Sequence, residues 1–254
     1  MLPFLACSIH IIGDWGRRGQ FSQIEVAERM ETMHYDAVIS TGDNFYPDGI
    51  SHASDWQVYE SWYDIYEPSV PWYVALGNHD HRGNVQAQTE IDVLHWNMPS
   101  SVYKFELCGH VFIVMDSTVV NQEQWEVVDK LLTETEFSNK WIVAHHPIFS
   151  AGWHHDVPQQ YRDNMTDIYK KHNVNGIISG HDHDLQYIEV DGIRQIISGA
   201  GSSTYYTQSP QNGLKFFKAT PGFVNMVIMA NSVHFRYFEA DQDEILFETI
   251  LNTD

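Results

Sequence analysis

Ile11-Ile12-Gly13-Asp14-Trp15-Gly16 drives an apolar run straight into a glycine and a carboxylate. The arrangement returns at Gly42-Asp43-Asn44-Phe45-Tyr46, Gly77-Asn78-His79-Asp80 and Gly180-His181-Asp182-His183, each behind its own apolar run. A fifth segment, Val143-Ala144-His145-His146-Pro147, omits only the glycine. Strands of a mostly parallel sheet deliver their carboxyl ends to one edge, where short loops converge on a shared site. Glycine permits the sharp exit and the close backbone approach. One Gly-Asp or a single His-x-His would be an ordinary turn or a surface histidine. Five such segments in order point to an ion site.

The rest of the chain fits that frame. Strand-like runs cover Ala6 to Ile12, Ala37 to Ser40, Trp72 to Leu76, Val111 to Met115, Trp141 to Ala144 and Gly176 to Ser179. Helical signals lie between them: Ser22 with Glu25 as a capping box, Asn121 with Gln124 ahead of Trp125, Val128 and Leu132, and a third helix from Pro158 to about His172. Asp191-Gly192 and Asn231-Ser232 mark two hairpins near the end. Alternating strands and helices followed by strands favour an α/β sandwich. With 254 residues and 43% hydrophobic content, a single domain over 1–254 is expected.

Fourteen Lys and Arg against 34 Asp and Glu give a formal charge of −20, so nucleic acid and anionic membrane surfaces are poor partners. The same charge repels a phosphorylated substrate unless positive charge is concentrated at the site, which bound metal ions would supply. Cys7 and Cys108 both sit in apolar runs, where two buried thiols are expected and one bridge stays open. The start has no basic stretch and too few residues before Asp14 for a secretory signal, and no run could span a bilayer, so a soluble chain is expected.

These segments, with Pro71-Trp72-Tyr73-Val74, His81, Gly83-Asn84-Val85, Leu185-Gln186-Tyr187 and Ser198-Gly199-Ala200-Gly201, make the chain resemble the calcineurin-like metallophosphoesterases over nearly its whole length. Within them it is similar to the small purple acid phosphatases of the tartrate-resistant type. Generic members place a histidine two residues after the first aspartate; that position is Gly16 here. Tyr46 stands where purple acid phosphatases supply a phenolate, a hard donor suited to Fe(III) whose charge-transfer band colours those enzymes.

The resemblance implies a four-layer α/β/β/α sandwich of two mixed sheets flanked by helices. It implies a first metal held by Asp14, Asp43, Tyr46 and His183, and a second held by Asn78, His145 and His181, with Asp43 bridging. Fe(III) paired with Fe(II), Zn or Mn suits these donors. The expected activity is hydrolysis of small phosphate monoesters by a metal-held hydroxide, with an acidic optimum. His79 and His154 are assigned to leaving-group protonation or phosphate binding, with His155 a weaker addition. For His146, His155, Asp80, Asp182 and Asp184 an orienting or solvated role weighs at least as much as direct chemistry, and Trp15 is read as packing. The other histidines, His10 and His110 among them, are read as ordinary surface or core residues. Ser202 to Lys218 is read as a loop that either rims the pocket or merely covers surface. The resemblance favours a secreted or periplasmic location, with a cytoplasmic one open. Two other functions fit the same fold: a phosphodiesterase using the same metals, and an interaction scaffold, which would show broken ligand positions.

Overall fold

The computed structural model describes residues 6–253. In chain order its elements are β1 (Cys7–Ile12), α1 (Gln23–Glu31), β2 (Ala37–Ser40), a π-helical turn (Tyr59–Tyr63) running into α2 (Asp64–Tyr66), β3 (Trp72–Val74), a 3₁₀ turn (Asp80–Arg82), α3 (Val85–Thr89) and β4 (Trp96–Asn97). The middle of the chain supplies β5 (Val102–Leu107), β6 (His110–Met115), α4 (Gln122–Thr133), β7 (Lys140–Ala144), α5 (Gln159–His172) and β8 (Gly176–Ser179). Then come β9 (Leu185–Val190), β10 (Ile193–Ser198), β11 (Leu214–Lys218), β12 (Gly222–Ile228), β13 (Ser232–Glu239) and β14 (Ile245–Asn252).

The strands form two seven-stranded sheets, ordered β14-β13-β12-β1-β2-β3-β4 and β11-β9-β10-β8-β7-β6-β5. Both are mixed. β1 through β4 run parallel in the first sheet, and β6, β7, β8 and β10 run parallel in the second. The remaining pairs are antiparallel. The sheets pack face to face: Trp141 of β7 meets Phe235 of β13 with ring centroids 5.4 Å apart, and the Tyr237 hydroxyl donates to the Gln186 carbonyl at 2.9 Å.

Alternation along β6 explains why the second sheet is buried on both faces. Phe112 and Val114 belong to the core between the sheets, whereas Val111, Ile113 and Met115 join Trp125, Val128 and Leu132 of α4 and Tyr161, Met165 and Tyr169 of α5. On the outer side of the first sheet, the His10 ring reaches the Met30 carbonyl of α1 at 3.2 Å, and Trp62 packs on Trp72 and Trp96. Helices thus flank both sheets, giving the expected four layers.

Three local expectations change. Ser22 precedes α1 without a side-chain cap bond; the Gln23 amide oxygen instead accepts from Arg17 N at 3.0 Å and Gly19 N at 2.9 Å, tying the first loop to the helix. Asn121, by contrast, caps α4 through Gln124 N at 2.9 Å, as expected. The loop read over Ser202 to Lys218 ends early, because Leu214 to Lys218 pair with β9 as an edge strand. Finally, the two cysteines are not thiols. Cys7 of β1 is bonded to Cys108 in the tight β5–β6 turn, so the bridge joins one sheet to the other across 101 residues of sequence. An apolar run hides a thiol and a disulfide equally well, which is why sequence left the state open.

Candidate metal centre

β1, β2 and β3 in one sheet and β7 and β8 in the other all end at the same edge, with Ile12, Ser40 and Val74 in register and Val143 beside Ile178. The loops that follow carry the seven residues expected to bind metal, and the structure brings all seven together. The Tyr46 hydroxyl lies 2.7 Å from Asp43 Oδ2, 3.1 Å from Asp14 Oδ1 and 3.2 Å from His183 Nε2. His145 Nε2 lies 3.1 Å from Asn78 Oδ1, 3.2 Å from His181 Nδ1 and 3.6 Å from Asp43 Oδ1. Asp43 therefore faces both groups, one oxygen to each.

Backbone conformation does much of the aiming. Asp14, Asp43 and His181 all have positive φ, at 60°, 55° and 67°. Non-glycine residues there cost of order 1–3 kcal/mol each and persist where the surroundings over-determine them. Here the surroundings are the site itself: Asp14 Oδ2 accepts from His181 N at 2.9 Å, and Asp14 N donates to the Gly42 carbonyl at 3.0 Å. Asp80, wholly buried, accepts from the amides of Asn44, Phe45 and Gly77 and from the Gln88 side chain, so it locks two loops to one another. Asp182 accepts from His154 N at 2.7 Å. Both carboxylates thus tie loops of the site together. Trp15 lies fully buried under the first loop, its indole donating to Ser40 Oγ at 2.9 Å.

The chemistry of the donors suits cations. His145 Nδ1 sits 2.9 Å from the Thr41 carbonyl, which can only accept, so Nδ1 carries the hydrogen and Nε2 presents a lone pair in the neutral ring. That lone pair faces the Asn78 and Asp43 oxygens. Burial, with His145 and His146 next in order, holds His181 well below the usual histidine range, and burial followed by Arg17 lowers His183 to about 4. Burial, reinforced by Asp43, pushes Asp14 well above the usual carboxylate range against the pull of His145. Asp43 goes the other way: burial opposes its charge, but His145, His79 and the bonds from Tyr46 and His79 N outweigh it. The Tyr46 phenol is pushed up by burial and then by Asp14 and Asp43. Imidazole nitrogens and crowded oxygen donors around one space are what a pair of cations needs, so the residues fit the dinuclear group.

Two features of the site were not legible in this form. His146, read only as an orienting or solvated group, offers a ligand atom within 4.8 Å of those of His145 and His181. The Arg17 guanidinium carbon lies 3.6 Å from the centroid of the Tyr46 ring and its Nε donates to Ser202 Oγ at 3.0 Å, a fixed cation over the phenol face.

The expected catalytic histidines border the centre. His79 packs on Tyr46, centroids 4.2 Å apart, with its backbone N donating to Asp43 Oδ1 at 2.8 Å. His154 stacks on His181 at 4.2 Å. His155 turns instead to the Gly152 carbonyl and Ser209. A cavity of about 650 Å³ opens over Asp43, Asn78, His79, His181 and His183, with Arg82 on its wall. The loop after β10 rims it: Tyr205 stacks on His183 at 4.5 Å, and Ser203 Oγ lies 3.0 Å from His183 Nδ1.

The family profile described as calcineurin-like phosphoesterase matches residues 7–185. Purple acid phosphatase 7 of Arabidopsis thaliana is 32% identical over 278 residues, covering 91% of this chain and 82% of the relative. Tartrate-resistant acid phosphatase type 5 of Mus musculus is 28% identical, covering 94% and 88%. Among solved structures, the purple acid phosphatase PPD1 of Lupinus luteus superposes with a TM-score of 0.82 at 16% identity, over 99% of this chain and 55% of that one. GAP50, the anchor in the inner membrane complex of Plasmodium, superposes at 0.88 with 22% identity, over 98% and 89%. At such identities the two structures show the fold alone.

Proposed function

The chain belongs to the calcineurin-like phosphoesterases and, within them, to the purple acid phosphatases, and on that premise we propose that it hydrolyses small phosphate monoesters at an Fe(III)–M(II) centre, M being Fe, Zn or Mn. The observation that carries this reading is the placing of Tyr46 between Asp14, Asp43 and His183 while Gly16 leaves no room for a side chain. A phenolate there favours a trivalent ion. Asp14, Asp43, Tyr46 and His183 would hold it, and Asn78, His145 and His181 the divalent one, with Asp43 shared.

When bound, such a pair of ions neutralises phosphoryl charge and acidifies water. The protein's residues supply the remaining work. Arg82 on the cavity wall draws a phosphate into a chain whose net charge is −20. His79 and His154, both held below the usual histidine range chiefly by burial, release a proton readily to a departing oxygen. Their protonated forms grow as pH falls, which supports an acidic optimum.

The interaction-scaffold reading loses ground because all seven ligand positions are present and convergent. Export is supported by the disulfide, since such bonds persist in oxidising compartments. No helix among the described residues is long and apolar enough to cross a membrane. Comparing turnover of p-nitrophenyl phosphate with that of bis-p-nitrophenyl phosphate tests the substrate class. Faster hydrolysis of the monoester is expected; preference for the diester would replace this reading with the phosphodiesterase one.

A further inference from the structure

Arg17 follows the loop Asp14-Trp15-Gly16 and is fixed through both backbone and side chain. Its backbone N donates to the Trp15 carbonyl at 2.8 Å and to Gln23 Oε1 at 3.0 Å. Its Nε donates to Ser202 Oγ at 3.0 Å, and that buried hydroxyl donates in turn to the Asp14 carbonyl. So held, the guanidinium carbon lies 3.6 Å from the centre of the Tyr46 ring and 5.1 Å from that of Phe21. The next residue, Arg18, pairs with Glu60 at 3.5 Å, whereas no carboxylate among the described residues forms an ion pair with Arg17. Its charge therefore acts on the ring face without an ion pair to neutralise it. Arg17 does not line the cavity over Asp43 and Asn78, so any effect on the reaction runs through Tyr46.

We propose that Arg17 is a positioning residue for the phenolate: by holding a positive charge over the Tyr46 ring it weakens the oxygen as a donor, and so keeps the trivalent ion bound there a strong Lewis acid. The inference deepens the iron-phenolate reading and rests on it. The physical argument is one of distance. The electrons that a charge-transfer band moves start on the ring and its oxygen, close to the guanidinium, and end on an ion beyond that oxygen. A fixed cation over the ring stabilises the donor more than the acceptor, which moves the band to shorter wavelength. The same withdrawal of charge leaves the ion more electron-poor, which favours acidification of water.

The test uses the full chain, iron-loaded, as wild type, Arg17→Gln and Arg17→Lys. Gln keeps a donor for Ser202 and removes the charge; Lys keeps the charge but loses the planar fork that lies over the ring while bonding Ser202. At one pH, the visible band should move to longer wavelength in Arg17→Gln and fall between the two in Arg17→Lys. For p-nitrophenyl phosphate, kcat of Arg17→Gln should fall about threefold or more, the scale of a cation–π contact, with KM within about twofold of wild type. Simple loosening of the loop would lower iron content without moving the band of the iron that stays. A band at the wild-type position, a moved band with unchanged kcat, or a raised KM at unchanged kcat would each overturn the inference. If Arg17→Gln does not fold, Arg17→Lys decides alone, a shift to longer wavelength supporting the proposal and a coincident band overturning it. Iron-loaded wild-type protein without the band overturns the iron-phenolate reading itself; a wild-type band that these variants leave in place overturns this inference alone.

Discussion

Gly16 is the position at which the sequence departs from the generic superfamily pattern, and the structure explains why no histidine can stand there. A Cβ built on Gly16 would lie 1.7 Å from the Asn44 carbonyl oxygen and 2.3 Å from its carbon. Cβ contacts under 3.0 Å are essentially never seen, so the Asn44 backbone would have to retreat by roughly 1.3 Å. It cannot do so alone. Tyr46 N donates to the Gly16 carbonyl at 2.8 Å, Asn44 is bonded to Asp80 and Ser40, and Asp43 and Tyr46 lie on either side. Gly16→Ala therefore forces overpacking in a fully buried segment, at a cost of about 3 kcal/mol, the upper end for inserted methylenes because the clash is with backbone. For a chain of this size that lowers Tm by about 6–12 °C. Displacement of Asp43 and Tyr46 should also reduce bound iron at least tenfold. Thermal unfolding and metal analysis of purified Gly16→Ala read both quantities. A variant that keeps its Tm within 2 °C and its full metal content would refute the steric argument.

His79→Asn and His154→Asn should each lower kcat by 10²-fold or more, the scale of general acid catalysis, with metal content unchanged; unaffected turnover in both would remove their assignment. His10, wholly buried against Tyr35 and Phe223 and lowered by burial to about 3, stays neutral in the fold, whereas the unfolded chain binds a proton below about 6.5. Its contribution is therefore complete above that pH and is lost as pH falls towards about 3. His10→Gln should reduce the fall in unfolding free energy by up to about 1.4 kcal/mol per pH unit between pH 6 and pH 4, measured by urea titration of metal-loaded protein. An unchanged slope would show that His10 does not couple acid to unfolding. Replacing both Cys7 and Cys108 by Ala should cost about 3–5 kcal/mol, since the bond closes a long loop; a loss under 1 kcal/mol in denaturant unfolding would contradict that.

What could be read from the chain, and what could not, divides along physical lines. The parallel strands β1, β2, β7 and β8 are buried on both faces, so they appear as continuous apolar runs, and the glycines behind four of the five strands announce the loops. β11 and β14 are sheet edges with alternating exposure, and β4 has only two residues, so neither run length nor hydrophobicity marked them. The hairpin at Asp191-Gly192 was legible because both residues take positive φ, a conformation that this pair accepts readily. Positive φ at Asp14, Asp43 and His181 was not, because tertiary hydrogen bonds impose it. The seven candidate ligands came from the family resemblance carried onto the segments behind the strands, and the structure gathers them at one edge. The closeness of His146 to His145 and His181, and of Arg17 to Tyr46, depends on loop geometry that spacing does not encode.

The central claim is that Tyr46 makes this an iron-phenolate centre. Metal analysis together with the visible spectrum of the protein as isolated, alongside Tyr46→Phe, tests it most directly. Iron is expected in the wild-type protein, with an absorption band in the green to yellow region that disappears in Tyr46→Phe while His145, His181 and His183 remain in place. Iron-loaded wild-type protein without such a band, or a band that survives in Tyr46→Phe, would contradict it.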